Sequence, residues 1–371
     1  MLSKSINGSS RAFGEATMSK RIKVYGAISL VFLLLLSLSS SALAVQDKRK
    51  KKKSVPVGRP VLWKEPSDIA SRDLLLGPGG VEMRPDTSRL TFIKAEKGGY
   101  SPKFRVRDAR GREWVAKLGK EAQSETAAVR LLWAVGYQTE INYLVPCVHI
   151  PGAPKPRKKV DRCEGDGFSN VRFEARPDNI ERAGEWKWKR NPFIGRTELQ
   201  GLIVMMGLLN NWDIKDSNNV VLYVPDESGR SVAESRYAIS DLGATFGKTG
   251  RLPFFWRITR SRNNPKDYAK ARFIDKVKGD RVAFRYGGKN RGLFKDIRVG
   301  QAKWIGKLLM RLSERQIADA FRAANYNPAE VRLMTDAVRR RIFELIELPG
   351  PGLASINELV NLPDQPGAAS R

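Results

Sequence analysis

The stretch LLNNWDIKDSNNVVL, residues 208–222, places a cluster of polar side chains between two apolar elements. The apolar run before it predicts a buried helix over residues 197–210, and residues 220–224 predict a strand. Asp213, Lys215 and Asn218 therefore lie on a loop between two rigid elements, which is a typical place for functional side chains. Asx-turn and capping chemistry at a helix end would also account for Asp213 and Asn218 taken singly.

Three further polar residues stand at the ends or on the inner faces of predicted elements. Lys117 lies near the end of a strand predicted over residues 113–118. Glu125 lies on the apolar side of a helix predicted over residues 121–135, and an inward carboxylate requires a partner. Asp241 follows a predicted hairpin.

The order of these residues resembles that of the protein-kinase-like superfamily. WDIKDSN matches the catalytic-loop pattern D-x-K-x-x-N, DLG matches the metal-binding D-F-G, and VAKL matches the strand that carries the phosphate-binding lysine. Over about residues 90–345 the resemblance implies a bilobal α+β fold. In such a fold a small β-rich N-lobe with one helix is followed by a mainly helical C-lobe.

The resemblance also implies roles for the residues of the loop and the hairpin. Asp213 would accept or orient the proton of the attacking hydroxyl, and Lys215 would offset charge on the transferred phosphoryl group. Asn218 and Asp241 would bind Mg²⁺ or Mn²⁺ through oxygen atoms.

The nucleotide would be held by the N-lobe. Lys117 would bind the α- and β-phosphates of ATP, and Glu125 would keep that lysine in place. Gly98 and Gly99 would form the cover over the phosphates.

Several features depart from the pattern of ordinary protein kinases. The glycine turn lies within KGGYSPKF and is not G-x-G-x-x-G. Trp212 stands where regulated kinases have the arginine that binds a phosphorylated activation loop, and Leu242 replaces the usual phenylalanine. These departures are more similar to atypical branches: HipA-like, phosphatidylinositol-kinase-like, CotH-like and secretory-pathway kinases.

The N-terminus predicts a targeting segment over residues 1–44. Lys20, Arg21 and Lys23 precede a Leu-rich stretch without charges that ends in SALA. A cleaved signal peptide would place the protein in the periplasm or outside the cell. An uncleaved anchor that leaves the remainder facing the cytosol is the alternative, and the basic run at 48–53 is compatible with it.

The rest of the chain divides as follows in this interpretation. A basic linker covers residues 45–60, the N-lobe residues 61–150, the C-lobe residues 151–348, and a flexible tail residues 349–371. Within the C-lobe, residues 152–185 are expected to be a loop and 251–300 largely irregular apart from a strand near residues 282–286, with helices at about 313–325 and 328–347.

The formal net charge of +28, which becomes +24 without residues 1–44, predicts affinity for a polyanion. The expected partners are a nucleotide, an acceptor that is a protein, a lipid or a sugar, and an anionic membrane surface or polyanion bound by residues 48–53. Cys147 and Cys163 would pair in an oxidising compartment and stay free in a reducing one.

Three functions are compatible with the sequence. The first is a metal- and ATP-dependent phosphotransferase, and the second is a pseudokinase that binds nucleotide or acts as a scaffold. The third is a basic envelope or polyanion-binding protein without catalysis, in which EWKWKR (185–190) and PFFWRITRSR (253–262) would stack on nucleic-acid bases. Surface loops with partly buried rings are the simpler interpretation of both stretches.

Overall fold

The computed structural model describes residues 58–229, 231–250 and 259–350. The predicted signal peptide or anchor, the basic run at 48–53, most of the linker and nearly all of the tail lie outside the described residues. Among the residues that are described, no helix is both long and apolar enough to cross a lipid bilayer.

The described residues form eleven strands and six α-helices, with short 3₁₀ turns between them. The strands are β1 (Arg59–Val61), β2 (Thr91–Glu96), β3 (Lys103–Arg107), β4 (Glu113–Lys117), β5 (Asn142–Val148), β6 (Phe168–Ala175), β7 (Glu181–Gly184), β8 (Asn219–Pro225), β9 (Val232–Ile239), β10 (Ile274–Lys278) and β11 (Arg281–Phe284). The helices are α1 (Glu121–Ala134), α2 (Thr197–Leu208), α3 (Pro265–Lys270), α4 (Val299–Met310), α5 (Glu314–Arg322) and α6 (Pro328–Ile346).

The fold is α+β, with a β-rich N-terminal lobe and a mainly helical C-terminal lobe, as the sequence predicts. The N-lobe sheet has five antiparallel strands in the order β2-β3-β4-β6-β5. Phe104 and Val106 on β3 and Trp114 and Ala116 on β4 are buried, because alternate residues of a strand point to the same face.

The prediction of a loop over residues 152–185 is wrong, because β6 and β7 lie within it. Strand β6 occupies a central position between β4 and β5, so the N-lobe sheet extends to Ala175. Its buried residues include Arg172 and Glu174, and charged side chains obscure the apolar alternation that identifies a strand.

Helix α1 connects β4 to β5 and packs between the two lobes. Its buried residues Ala128, Leu131 and Leu132 belong to the main core cluster, together with residues of α2 and the C-lobe. Gly136 follows its C-cap with φ of +95°, and a Cβ atom there would lie 2.2 Å from the Lys64 carbonyl oxygen. Glycine therefore suits this helix end.

The C-lobe places a hairpin beside the end of α2. Strands β8 and β9 pair antiparallel, and β1 adds to β9 in parallel, in a sheet ordered β1-β9-β8-β7. Helices α4, α5 and α6 complete the lobe; α5 and α6 both start with reciprocal capping boxes, at Ser313 and Asn327. The prediction that residues 251–300 are largely irregular is wrong for the described residues from 265 on, because α3 and β10 lie there besides the predicted strand, which is β11, and α4 begins at Val299.

Cys147 on β5 and Cys163 form a disulfide. The bond closes the loop that connects β5 to β6.

Candidate functional site

Six of the eight residues predicted for the site line one cleft of about 700 Å³ between the lobes. They are Gly99, Lys117, Asp213, Lys215, Asn218 and Asp241. Glu125 lies behind Lys117 and contacts it, and Gly98 neighbours the cleft without lining it.

The two asparagines at the end of α2 turn the chain into the loop that carries Asp213. Asn210 has a left-handed backbone, with φ of +51°, and its side chain donates to the Gly247 carbonyl oxygen at 2.7 Å. Asn211 accepts a hydrogen bond from the Asp213 amide at 3.1 Å. These contacts explain why polar residues follow a buried helix directly.

Arg341 of α6 fixes this helix end from within the core. Its guanidinium is fully buried and donates to the Leu208 carbonyl oxygen at 2.5 Å and to the Asn210 side chain at 3.1 Å. The position of the loop is therefore set by the packing of the C-lobe.

Asp213 is held between two lysines. Lys215 Nζ lies 3.1 Å from its Oδ2, and Lys289 Nζ lies 2.8 Å from its Oδ1. Lys289 comes from a segment predicted to be irregular, and nothing in the sequence indicated a role for it. Its backbone amide also donates to the Trp212 carbonyl oxygen at 2.8 Å, so the segment supports the loop.

Asn218 connects the loop to the hairpin. Its Nδ2 donates to the Asp213 carbonyl oxygen at 2.6 Å, while its own carbonyl oxygen accepts from the amides of Ser240 and Asp241 at 2.8 and 3.2 Å. The two predicted metal ligands are thus backbone neighbours, although they are 23 positions apart in the sequence.

Lys117 lies at the centre of a buried ionic network. Its Nζ is 2.8 Å from Glu125 Oε2, 3.2 Å from Glu121 Oε2 and 3.3 Å from Asp241 Oδ1. Burial would lower the pKa of Lys117, but the charges of Glu125, Asp241 and Glu121 raise it above its ordinary value. The lysine is therefore a cation in the closed network.

Asp241 is the most accessible carboxylate of this network, with 40% of its side chain exposed. Burial would raise its pKa, but the Lys117 ammonium and a hydrogen bond from the Gly243 amide hold the pKa below the usual value. Asp241 is thus an anion at neutral pH.

Two buried charged residues that the sequence interpretation missed complete the floor of the cleft. Arg172 lies opposite Lys117 in the β4–β6 pairing, and its Nε is 3.3 Å from Glu125 Oε2. Glu174 forms ion pairs with Arg172 and Arg176, and these arginines outweigh burial and lower its pKa to about 2. Both residues lie on β6, the strand that was predicted to be a loop.

The mouth of the cleft is crossed by Arg262. Its guanidinium pairs with Glu121 and lies 4.2 Å from the ring centroid of Tyr100 and 4.6 Å from that of Trp212. Trp212 Nε1 also donates to the Ser261 carbonyl oxygen at 3.0 Å. The Trp212 indole therefore binds the arginine-bearing segment that follows the hairpin.

The chemistry of Asn218 and Asp241 fits a hard divalent cation. Because Asn218 Nδ2 is committed to a carbonyl oxygen, Oδ1 is the side-chain atom that remains to bind a metal. Asp241 Oδ1 accepts from Lys117 and Gly243, and its Oδ2 has no partner among the described residues. Two such ligands suffice for Mg²⁺ only when phosphate oxygens and water supply the others. Within the described part of the chain, no group of three or more His, Cys, Asp or Glu side chains is placed to bind a metal ion by itself.

The stretch 185–190 does not present rings for base stacking. Trp186 and Trp188 are 3% and 1% exposed, and Trp186 Nε1 donates to the Ala238 carbonyl oxygen. Residues 253–258 of the second aromatic stretch lie outside the described residues. The stacking interpretation is therefore wrong for the first of the two.

Comparisons with known proteins found no protein family model that matches the chain, and no curated protein that matches it. Among solved structures, the chain is similar to the crystal structure of a Helicobacter pylori proinflammatory kinase, CtkA. The identity is 12% and the TM-score 0.42, and the match covers 71% of this chain and 99% of the other. A similarity at this level carries no argument about function.

Proposed function

We propose that the chain is a metal- and ATP-dependent phosphotransferase of atypical kinase type, whose acceptor is a hydroxyl of unidentified source. The observation that carries the proposal is the convergence of Lys117, Asp213, Asn218 and Asp241 on one cleft between the lobes. Phosphoryl transfer requires charge neutralisation and in-line positioning, and these four residue types supply both.

The charge of the cleft suits a polyphosphate ligand. Nine lysine and arginine side chains line it against five carboxylates. Basic side chains that converge on a concave surface attract anions and raise their local concentration. This excess remains although Lys117 and Arg172 are already paired with carboxylates.

The nucleotide would enter by displacing an ionic contact of Lys117. Asp241 is the exposed member of the network, so the α- and β-phosphates would replace it beside the Lys117 ammonium. Released from the lysine, Asp241 would bind Mg²⁺ or Mn²⁺ together with Asn218 Oδ1. The cation, when bound, neutralises charge on the phosphate oxygens.

The acceptor hydroxyl would approach Asp213. The carboxylate of Asp213 would orient the hydroxyl and take up its proton, and Lys215 would offset charge on the transferred phosphoryl group. Glu125 keeps Lys117 in place throughout, because it is buried behind the lysine and has no access to the ligand.

Incubation with γ-labelled ATP and Mn²⁺ or Mg²⁺ tests this proposal. Wild-type protein is expected to transfer label to itself or to an added acceptor, and Asp213→Ala and Asp241→Ala are expected to abolish transfer. Asp336→Ala is a matched control, because Asp336 is an exposed carboxylate on α6 that does not line the cleft. Equal transfer by all four proteins would refute the assignment of the site.

A nucleotide-binding pseudokinase is the second candidate, and the glycine turn without the G-x-G-x-x-G pattern favours it. This function would be supported over catalysis if calorimetry shows that ATP binds while no label is transferred to any acceptor tested.

An oxidising location outside the cytoplasm is proposed on the Cys147–Cys163 disulfide, since such bonds are rare in reducing compartments. Attachment of residues 48–53 to an anionic surface stays a prediction of the sequence. Binding to anionic vesicles that falls steeply with salt, and is lost when residues 48–53 are replaced by neutral ones, would support it.

A further inference from the structure

The glycine turn that covers the cleft has an unusual means of support. Gly98 and Gly99 both have left-handed backbones, with φ of +89° and +69°, and Gly99 and Tyr100 line the cleft. Glycine tolerates this conformation but does not rigidify it. The turn also lacks the G-x-G-x-x-G pattern, so some other group must fix its position.

Arg157 supplies that contact from a different part of the chain. Its NH2 nitrogen lies 2.9 Å from the Gly98 carbonyl oxygen, 2.6 Å from that of Gly99 and 3.0 Å from that of Ser101. One guanidinium nitrogen carries two protons, so two of these three bonds form fully at any time. The carbonyls of the turn are therefore bound by Arg157, which is not among the residues that line the cleft.

The neighbouring residue adds a second contact to the same segment. Lys158 Nζ lies 3.7 Å from the ring centroid of Tyr100, on a ring that Arg262 also contacts. The turn is thus held by consecutive cations of one loop.

The loop that bears these cations is closed by the disulfide. Cys147 and Cys163 are 16 positions apart, and Arg157 lies between them. Near the Cys163 end, Val160 packs against the N-lobe core, and the Cys163 amide donates to the Gly167 carbonyl oxygen at 2.9 Å. Most of the segment from residue 151 to 159 is exposed, and Ala153 is the residue of this segment that packs against the N-lobe core. Arg157 therefore lies on an exposed stretch between Ala153 and the end closed at Cys163.

We propose that Arg157 is a positioning residue for the nucleotide, and that the Cys147–Cys163 disulfide holds it against the glycine turn. The oxidised chain has a fixed phosphate cover. Two-electron reduction of the disulfide by an external dithiol, which is itself oxidised to a disulfide, leaves two protonated thiols, releases Arg157 and loosens the turn. The inference rests on the proposed function only for the identity of the ligand. The coupling of disulfide, arginine and turn is a property of the N-lobe itself.

The test compares wild type and Arg157→Ala, each oxidised and after reduction and alkylation of both thiols. Amide hydrogen exchange is measured in peptides covering residues 97–103 without nucleotide, and Mg·ATP affinity is measured by calorimetry. Lys159→Ala is the matched control, because Lys159 is an exposed cation of the same loop without a hydrogen bond or ion pair to the described residues.

In oxidised Arg157→Ala, exchange in the turn is expected to be about tenfold faster and Mg·ATP binding about fivefold weaker than in wild type, as fits the loss of one to two hydrogen bonds. Reduction should bring the exchange rate and Mg·ATP affinity of wild type to the values of oxidised Arg157→Ala. In Arg157→Ala, reduction should change both quantities less than about twofold, because the contact between Arg157 and the glycine turn is already absent. Lys159→Ala should behave as wild type.

Two results would overturn the proposal. One is unchanged exchange and affinity in oxidised Arg157→Ala. The other is an equal effect of reduction in both backgrounds, which would mean that the disulfide acts on the lobe without Arg157. If oxidised wild type binds no Mg·ATP, the proposed function fails, and the exchange data alone decide whether Arg157 and the disulfide hold the turn.

Discussion

Removal of the Lys117 charge is expected to destabilise the protein strongly, and a double-mutant cycle with Glu125 measures the reason. Both side chains are buried, at 3% and 1% exposure, and their charged atoms are 2.8 Å apart. In Lys117→Met, Glu125 keeps Arg172 at 3.3 Å as its remaining cation. Loss of one partner from a buried ion pair typically costs 3–5 kcal/mol, and the residual pairing with Arg172 places this case at about 3 kcal/mol.

Glu125→Gln is expected to cost about 2–3 kcal/mol by the same reasoning, because Lys117 keeps Glu121 and Asp241. The double variant removes both charges, so neither is left without its partner. Its free energy of unfolding should therefore fall by about 3 kcal/mol, which is less than the sum of the losses in the two single variants. The coupling free energy is therefore about 2–3 kcal/mol.

The assay is urea denaturation of the oxidised protein followed by tryptophan fluorescence, with Lys103→Met as the control for loss of a lysine from the neighbouring strand. The free energy of unfolding extrapolated to zero urea should fall by about 3 kcal/mol in Lys117→Met and by about 2–3 kcal/mol in Glu125→Gln, with the slope m unchanged. Additive losses in the double variant, or a loss below about 0.5 kcal/mol in Lys117→Met, would refute the buried pair.

Three further predictions concern pH, the loop and its support. The pKa of Glu174 is about 2 in the folded chain, below that of an unfolded glutamate, so its stabilisation is present above about pH 5 and is lost as pH falls toward 2. In Glu174→Gln, the free energy of unfolding from denaturation curves should therefore fall less over this pH range than in wild type, by on the order of 3 kcal/mol. A pH profile identical to that of wild type would contradict this prediction. Arg341→Leu leaves buried acceptors at the end of α2 without donors and should cost about 3 kcal/mol in thermal unfolding, whereas Arg332→Leu on the exposed side of α6 should cost less than about 0.5 kcal/mol. Lys289→Ala removes an ion pair of Asp213 and should lower kcat of label transfer about tenfold with Mg·ATP affinity unchanged; weaker ATP binding at constant kcat would place Lys289 on the nucleotide instead.

Local patterns were sufficient to predict the elements that carry most of the site. Strand β3 follows the two-residue period of buried side chains closely. Helix α1 was predicted from an apolar stripe, although twelve of its fourteen residues are buried. Glu125 was expected on the inner face of α1 because it falls on the apolar stripe, and it is buried against Lys117.

The elements that were missed break these patterns for physical reasons. Strand β6 buries Arg172 and Glu174, whose charges are satisfied only by residues distant in the sequence, so periodicity does not reveal it. Helix α4 contains Gly300 and Gly306, which weaken a helical prediction; a Cβ atom at Gly306 would lie 2.8 Å from the Leu345 side chain, so close packing against α6 accounts for that glycine. Lys289 reaches Asp213 only through the folded path of its segment.

Both lobes are proposed to contribute residues to one nucleotide and metal site. Anomalous diffraction from Mn²⁺, in crystals grown with a non-hydrolysable ATP analogue, is the direct test. A manganese peak is expected about 2 Å from Asn218 Oδ1 and from the Asp241 carboxylate, with the triphosphate extending toward Lys117. A bound nucleotide whose phosphates lie outside this cleft, or a manganese peak that contacts neither Asn218 nor Asp241, would contradict it.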